Sequence, residues 1–499
     1  MKTRSTQRIF LALLLVAAMI FSVVSIAGNA QAAGKPGLSR KSITMDIGKR
    51  VTLKIKNASG KASWKSSDAG VASVKNGTVT AKKAGKAVIT CTVKGKKLTC
   101  KVTVRSRSTT ALYPGQRLQG VDRTISTPEE MNKFVAEANA GNTFAGQTIM
   151  VINNISYNKT ENNFTPIKNF AGTFNGGGYN IDGIVIKTDG DAGLFLNNQG
   201  TIKDVYVTGM QIIELGKDKK LGAIVAENNG VVDGCRSEGV MTSVDATSGN
   251  VFGGIVGEGK YGTTVRNCMS QMTIDCPAQG ADGYCGGIVG RSYGSRILNN
   301  MSLAKLSGKS LSIGGILGIE MENAGELKGC LSMGSYGIGD NIAGIANNFK
   351  GTAENSYFLE CSQTAEAFSN NFGREKNVKS VSYDELKLDL ILGKLNDIAG
   401  TSADLKTWNF NGSYPELPKL RQIVFNALEP KGVVECQRVS AYEGESITIN
   451  AAPYRGYKVK QLSVITETMK AVASVNGKNS LTFTVPGENV KVSVMYQKK

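Results

Sequence analysis

The 499-residue chain contains no histidine. The commonest general base, the commonest metal ligand and the usual pH switch are therefore missing together. Ser-His-Asp and Cys-His arrangements and the His-Glu-x-x-His metal motif cannot be built. The acids share no phase: Asp204, Asp233, Asp275 and Glu326 sit at different offsets in the repeat described below, and Glu320, Glu322 and Glu326 crowd into one loop. Gly176-Gly177-Gly178 lacks the following Gly-Lys-Ser/Thr of a phosphate cradle. No catalytic residue, metal or cofactor is assigned, and the chain is expected not to be an enzyme.

Aromatic and thiol groups offer more. Lys260-Tyr261-Gly262 and Ser292-Tyr293-Gly294 fall at nearly the same place in successive repeats. Tyr261 and Tyr293 stacked on one edge, with Lys260 beside them, could receive a sugar ring. Of nine cysteines, Cys235, Cys268 and Cys330 share a phase and read as buried thiols. Asn300 stands between Cys268 and Cys330, too wide a gap for one tetrahedral ion. Cys276 and Cys285 bracket the longest insertion and could close it as a disulfide, whereas the spacing assigns no partner to Cys361 or Cys436.

Charge is strongly segregated. The net charge is +19, yet residues 34–106 carry 18 Lys and Arg against Asp46 and Asp68 alone, a net of +16. The N-terminal stretch adds +3, so residues 107–499 sum to zero. Such a field favours polyanions and weakens with salt. Lys82, Lys83, Lys94, Lys96 and Lys97 are the candidate contacts. Residues 1–32 have the form of an export signal: Lys2, Arg4 and Arg8, an apolar run from Ile9 to Ile26, then Ala30-Gln31-Ala32. No second apolar stretch is long enough to span a membrane. The mature chain is expected outside the cell, where the polyanions are envelope polymers or extracellular glycans rather than nucleic acid.

The elements that must position these groups are dominated by one phrase. Gly-Gly-Ile-Val-Gly occurs at 253–257 and 286–290, and Gly-Gly-Ile-Leu-Gly at 314–318, with looser copies around them. The central apolar residue falls at Leu194, Ile224, Ile255, Ile288, Ile316 and Ile345, spaced by 30, 31, 33, 28 and 29. A fixed period of this size signals stacked repeats that bury their apolar faces only against neighbours. A second column, Val205, Cys235, Cys268, Asn300, Cys330 and Tyr357, follows 11 to 14 residues later and reads as another inward stack. Asn228-Asn229, Asn267 and Asn299 mark corners that need left-handed backbone.

Flanking segments read as caps and modules. Thr127-Pro128-Glu129-Glu130, then Met131, Phe134, Val135 and Ala138, predict a helix that closes one end of the stack. Ser382-Tyr383-Asp384-Glu385, then Leu386, Leu390, Ile391 and Leu395, predict a second cap at the other end. Residues 36–105 alternate as strands; with Gly95-Lys96 as a two-residue hairpin turn, Cys91 falls opposite Cys100, within disulfide range. Strand signals return at Ser446–Ile449, Gly456–Val459 and Leu481–Pro486.

Three resemblances attach to these patterns. Trp64-Lys65-Ser66-Ser67-Asp68, Val71-Ala72-Ser73-Val74 and Asn76-Gly77-Thr78-Val79-Thr80-Ala81 resemble the bacterial immunoglobulin-like domain, group 2, which implies a small β-sandwich, a spacer or adhesive unit. The Gly-Gly-Ile-Val-Gly copies with Val265–Ser270, and the close at Tyr414-Pro415-Glu416-Leu417, resemble the GLUG motif. That implies a right-handed parallel β-helix, found also in the non-catalytic part of some immunoglobulin A proteases. Gly456-Tyr457 and Phe483-Thr484-Val485-Pro486 resemble internalin-type bacterial repeat domains.

The expected molecule is an all-β, multidomain protein. It comprises a signal peptide (1–32), an Ig-like module (36–105), a capped β-helix (120–425, repeats 191–360) and a small β module (427–499). The expected role is adhesion, or binding of envelope or host glycans or proteins. A β-helix polysaccharide lyase or hydrolase, or a passive spacer, stands as the alternative.

Overall fold

The computed structural model describes residues 36–46, 50–58, 60–82, 85–105, 118, 120–244, 249–275, 283–309, 311–322, 324–339, 341–361, 366–425, 431–436, 438–477 and 479–499. The export signal read at 1–32, Lys83 and Cys276 lie outside them.

The first compact unit, up to Thr109, holds a four-stranded sheet in the order Ser42–Asp46, Lys96–Arg105, Gly85–Val93, Ala62–Ser66, and a three-stranded sheet of Arg50–Thr52, Thr78–Ala81 and Ala72–Lys75. Their inner faces share Ile43, Leu53, Val79, Ile89 and Val102. The hairpin turn is Lys94-Gly95, both with positive φ, and Val93 pairs with Lys96. One residue of difference moves every pairing: Cys91 lies opposite Leu98, and Cys100 opposite Ile89. Both are buried free thiols, so the expected Cys91–Cys100 disulfide is corrected.

The second unit is a parallel β-solenoid of about 7 turns. Three parallel sheets of twenty, six and five strands form its sides. One rung runs through Thr264–Arg266, Met269–Asp275, Gly283–Gly286 and Val289–Ser292, and the next opens with Arg296–Leu298, whose Ile297 lies in register with Val265. The six central apolar residues, Leu194 to Ile345, are fully buried in one continuous core.

The glycines of the repeated phrase do steric work. A Cβ at Gly253, Gly286 or Gly314 would overlap the carbonyl oxygen of Val256, Val289 or Leu317 in its own turn. The following Gly254, Gly287 and Gly315 face the carbonyl of the next rung and the hydroxyls of Ser270, Ser302 and Ser332. These serines, with Ser237, form a buried column beside the isoleucines, and Ser237 Oγ donates to the Gly254 carbonyl at 2.7 Å.

The second inward column is Val205, Cys235, Cys268, Asn300 and Cys330, but its sixth member is Ser356. Tyr357 pairs with Leu331 and faces outward, one residue from the expected place. Asn300 is satisfied inside the stack: its Oδ1 accepts from Cys268 N at 2.9 Å and its Nδ2 donates to Val265 O at 2.9 Å. The left-handed corner carries one residue per rung: Asp204, Gly234, Asn267, Asn299, Gly329, Asn355 and Asn377 all have φ between 43° and 66°. Asn267 and Asn299 are where they were expected; Asn228 is instead inward, accepting at 2.8 Å from Asn198 of the preceding rung.

Helix α1 (Pro128–Asn139) closes the N-terminal end of the stack, with Phe134 against Phe144 and Phe174. The second predicted cap behaves differently. It splits into α2 (Tyr383–Leu386), with its Ser382–Glu385 capping box, and α3 (Asp389–Ala399), while Leu390 is exposed. Both lie on the flank, not the end. Leu386, Ile391, Leu395 and Trp408 cover the outward column Met269, Met301, Leu331 and Tyr357 as a second core. The chain then runs back along the left-handed corner. Asn355 donates to Lys394 O, Asn299 to Lys406 O, and Asn267 to Asp404 O, each at 2.8–2.9 Å. Arg236 donates to the carbonyls of Leu417 and Pro418 at 2.8 and 3.0 Å. This return delivers two four-stranded sheets that form the C-terminal module, with Val434, Ile449, Phe483 and Val492 in its core. Tyr442 of that module donates to Asp204 at 2.9 Å.

The close approach is testable at one residue. Gly287→Ala should lower unfolding stability by at least ~2 kcal/mol, because backbone and a buried serine surround the new methyl. Gly393→Ala, exposed in α3 with open space around it, should change stability by under ~1 kcal/mol in the favourable direction. Equal responses in denaturant unfolding would refute the steric account.

Candidate functional site

The tyrosine corner lies between the six-stranded sheet and the twenty-stranded one. Most rungs turn there with a glycine: Gly200 and Gly230 would each strike the preceding rung's carbonyl if they carried a Cβ. Asn198 and Asn228 side chains accept from those glycine N–H groups at 3.0 and 3.2 Å. The three middle rungs are longer here, passing through Lys260-Tyr261-Gly262, Tyr293-Gly294, and a last corner that includes Met321-Glu322 and Ala324-Gly325. The extra residues push side chains outward. Tyr261 is 74% exposed, and its ring lies across Gly294 of the next rung.

Register organises the charges beside this corner. Glu227, Glu258 and Arg291 occupy one outward column, each three residues after its central isoleucine. Glu258 is nearly enclosed, its side chain 3% exposed, and holds Lys260 at 2.5 Å and Arg291 at 2.5 Å. Glu227 takes Lys220 at 2.5 Å and stands 3.7 Å from Lys260, while Asp191 lies 3.6 Å from Lys220. The network alternates in sign across four rungs and is neutral overall. Single exposed pairs contribute little; a partly buried, connected set fixes geometry more firmly.

Tyr293 belongs to this network. Lys260 Nζ sits 5.0 Å and Arg291 Cζ 5.7 Å from its ring centre. The structure thus brings Lys260, Tyr261 and Tyr293 to one corner but not into a two-ring platform. Lys260 is engaged by carboxylates, Tyr293 lies against cations, and Tyr261 alone stands outward. The sequence reading missed Glu227, Glu258 and Arg291. Their signal was present: a charged residue at the third place after isoleucine in three successive copies.

Beneath the longest corner lies Glu320, 1% exposed. Its Oε1 accepts from Gly294 N at 2.8 Å and Glu322 N at 3.2 Å, while Oε2 has no hydrogen-bond partner among the described residues and rests against Gly325. Burial pushes its carboxyl up to about 7; the hydrogen bonds oppose this, and the Glu322 charge reinforces it.

The other expected residues are dispersed. Lys94, Lys96 and Lys97 lie at the hairpin turn, whereas Lys82 follows a strand of the other sheet, so they form no single patch. Cys285 is a buried free thiol whose acidity burial suppresses. Among the described residues, no group of His, Cys, Asp and Glu could hold a metal ion, and no helix is long and apolar enough to cross a membrane.

Residues 427–499 match the family described as divergent InlB B-repeat domain. No curated protein matches the chain. A solved protein from Bacteroides ovatus, provisionally assigned as an immunoglobulin A1 protease, is similar at 16% identity and a TM-score of 0.45, over 62% of this chain and 99% of that one. A second structure, named IgA1 protease, is similar at 13% identity and a TM-score of 0.33, over 72% of this chain. This chain spans 25% of that protein's length. Both carry the name of a peptidase, which overturns the expectation that this chain is not an enzyme. That statement is withdrawn. The missing histidine excludes only the histidine-dependent arrangements named above.

Glu320 makes the corner pH-sensitive. Its folded-state value lies above the ordinary 4.5, so the folded chain binds this proton more tightly than the unfolded chain. Stability should therefore fall as pH rises from about 5 to about 8, by an amount on the order of 2 kcal/mol from this group. Glu320→Gln should flatten that part of the profile in denaturant unfolding; a slope equal to the parent's would rule the assignment out.

Proposed function

We propose that the chain is an exported bacterial surface protein that holds anionic envelope or extracellular polymers through its N-terminal module. In this reading the solenoid presents its tyrosine corner to host or envelope glycans or proteins. The observation that carries it is the segregation of charge: +16 within residues 34–106 against zero over 107–499. A lysine-rich surface kept only for solubility would not need to be confined to one module.

Several features support the setting. The divergent InlB B-repeat match and the leader pattern of residues 1–32 fit an extracellular or surface-associated protein. The group 2 immunoglobulin-like resemblance of residues 36–105 suits a spacer or adhesive unit, and the two facing sheets of that unit accommodate it. The GLUG resemblance supports this proposal as well, since such repeats occur in bacterial surface proteins.

The polyanion claim is tested by comparing residues 34–106 and residues 107–499 on an anionic column under a salt gradient. The first should elute at markedly higher salt. Elution of both at the same salt would sink the reading.

A further inference from the structure

We infer that Glu320 is a pH-sensitive latch on the tyrosine corner: its neutral carboxyl holds the corner closed, and its ionisation lets the corner open. The functional meaning of the latch rests on the reading above, in which that corner is presented to a partner; the latch itself does not.

One inward column shows why the carboxyl must be neutral. Register aligns Asn198, Asn228, Gly259, Ser292 and Glu320 on successive rungs, each the last residue of its strand. In the early rungs this place holds an amide that both accepts and donates. Asn198 Oδ1 accepts from Gly200 N at 3.0 Å, and its Nδ2 donates to Asn228 Oδ1 at 2.8 Å. Asn228 Oδ1 accepts from Gly230 N at 3.2 Å, and its Nδ2 donates to Gly230 O at 3.1 Å. Glu320 repeats the accepting half, since its Oε1 takes the N–H two residues on, that of Glu322. Its Oε2 stands in for the amide nitrogen, and only the neutral acid carries a hydrogen there.

The surroundings favour the same form. Glu320 is fully enclosed, and a Cβ at Gly325 would overlap Oε2, so the corner closes tightly on that oxygen. A charged oxygen shut in without a donor is costly, and opening to water removes the cost. Burial accordingly keeps the carboxyl protonated up to about 7. The charged groups around the corner offer no relief. Glu322 is exposed and its charge opposes ionisation. Glu326 is held by Arg296 and Lys328, while Lys260 and Arg291 are held by Glu258. Lys350 donates to Met321 O at 3.3 Å. The phenols of Tyr261 and Tyr293 lie on the two preceding rungs. Among the described residues no cation pairs with Glu320.

Gly294 passes the change on. Its N–H donates to Glu320 Oε1 at 2.8 Å, its carbonyl accepts from Gly262 N at 3.1 Å, and the Tyr261 ring lies across it. Three rungs meet in one peptide. When the carboxylate turns out to water, Gly294 loses its acceptor and Tyr261 the surface it rests on. The direction is fixed by the raised folded-state value. Between about 4.5 and about 7, rising pH ionises Glu320 in the open corner but not in the closed one. The open population therefore grows across that window and levels off above it.

Hydrogen exchange by mass spectrometry tests the latch on the full chain without any ligand, from about pH 5 to about pH 8, with rates corrected for their intrinsic pH dependence. Protection of the peptides carrying Tyr261-Gly262 and Tyr293-Gly294 should fall by about tenfold or more across that range. Lys96–Arg105, in the other compact unit, should show no such fall. Glu320→Gln keeps an acceptor and a permanent donor, so its corner should stay within about threefold of the parent's acid-side protection at every pH. Glu322→Gln should retain the parent's fall. A parent corner whose protection does not change with pH overturns the latch, whether or not Glu320→Gln folds. An undiminished fall in folded Glu320→Gln, or a profile flattened by Glu322→Gln instead, overturns the assignment to Glu320. The salt-gradient comparison above decides the proposed function separately, because no ligand enters this experiment.

Discussion

The structure depends on how closely one backbone can lie on the next. In a parallel solenoid each rung's hydrogen bonds are completed by its neighbours, so no rung is stable alone. Where the chain reverses sharply inside the rung, the backbone meets both its own carbonyls and those of the rung above. Only glycine leaves room there, and Gly-Gly recurs three times for that reason. The isoleucine that follows each glycine pair then drops into the core, and the serine column packs against the bare backbone opposite. A reversal of constant length is the consequence, since any change within it would break contact with two neighbours at once, while the spacing between copies varies from 28 to 33 residues through the corners.

What the repeat leaves free is treated differently on its two corners. At the left-handed corner, asparagine side chains turn outward as a ladder of donors, and α3 with the segment that follows it supplies the carbonyls they need. Trp408 Nε1 donates to Asn299 at 2.5 Å, tying the second core to the ladder. The C-terminal module is thereby placed beside the early rungs, not beyond the last one. Among the described residues no segment returns over the opposite corner, and the middle rungs lengthen there. Tyr261 and the network centred on Glu258 occur there, at the place where the repeat constrains sequence least.

Much of this was legible in the residues, and the misses have physical causes. The isoleucine column needed only spacing, since an apolar residue at constant phase has few homes other than a core. The serine column was as regular, yet a serine is not an expected core residue, and only the neighbouring glycines explain it. Tyr357 and the Cys91–Cys100 pairing each failed by one residue, which in a strand exchanges inside for outside. Helix α3 was visible as an amphipathic pattern, but periodicity states that a face is buried and never against what. The Glu227–Glu258–Arg291 column required knowing which positions stack, information carried by register alone.

The central claim is a division of labour: the solenoid is a rigid scaffold, and polyanion contact belongs to the basic module of residues 36–105. Hydrogen exchange followed by mass spectrometry, on the full chain with and without heparin as the anionic polymer, tests it most directly. The account predicts added protection within residues 36–105, with the solenoid rungs unchanged. Protection that appears in the rungs and not in that module would contradict it.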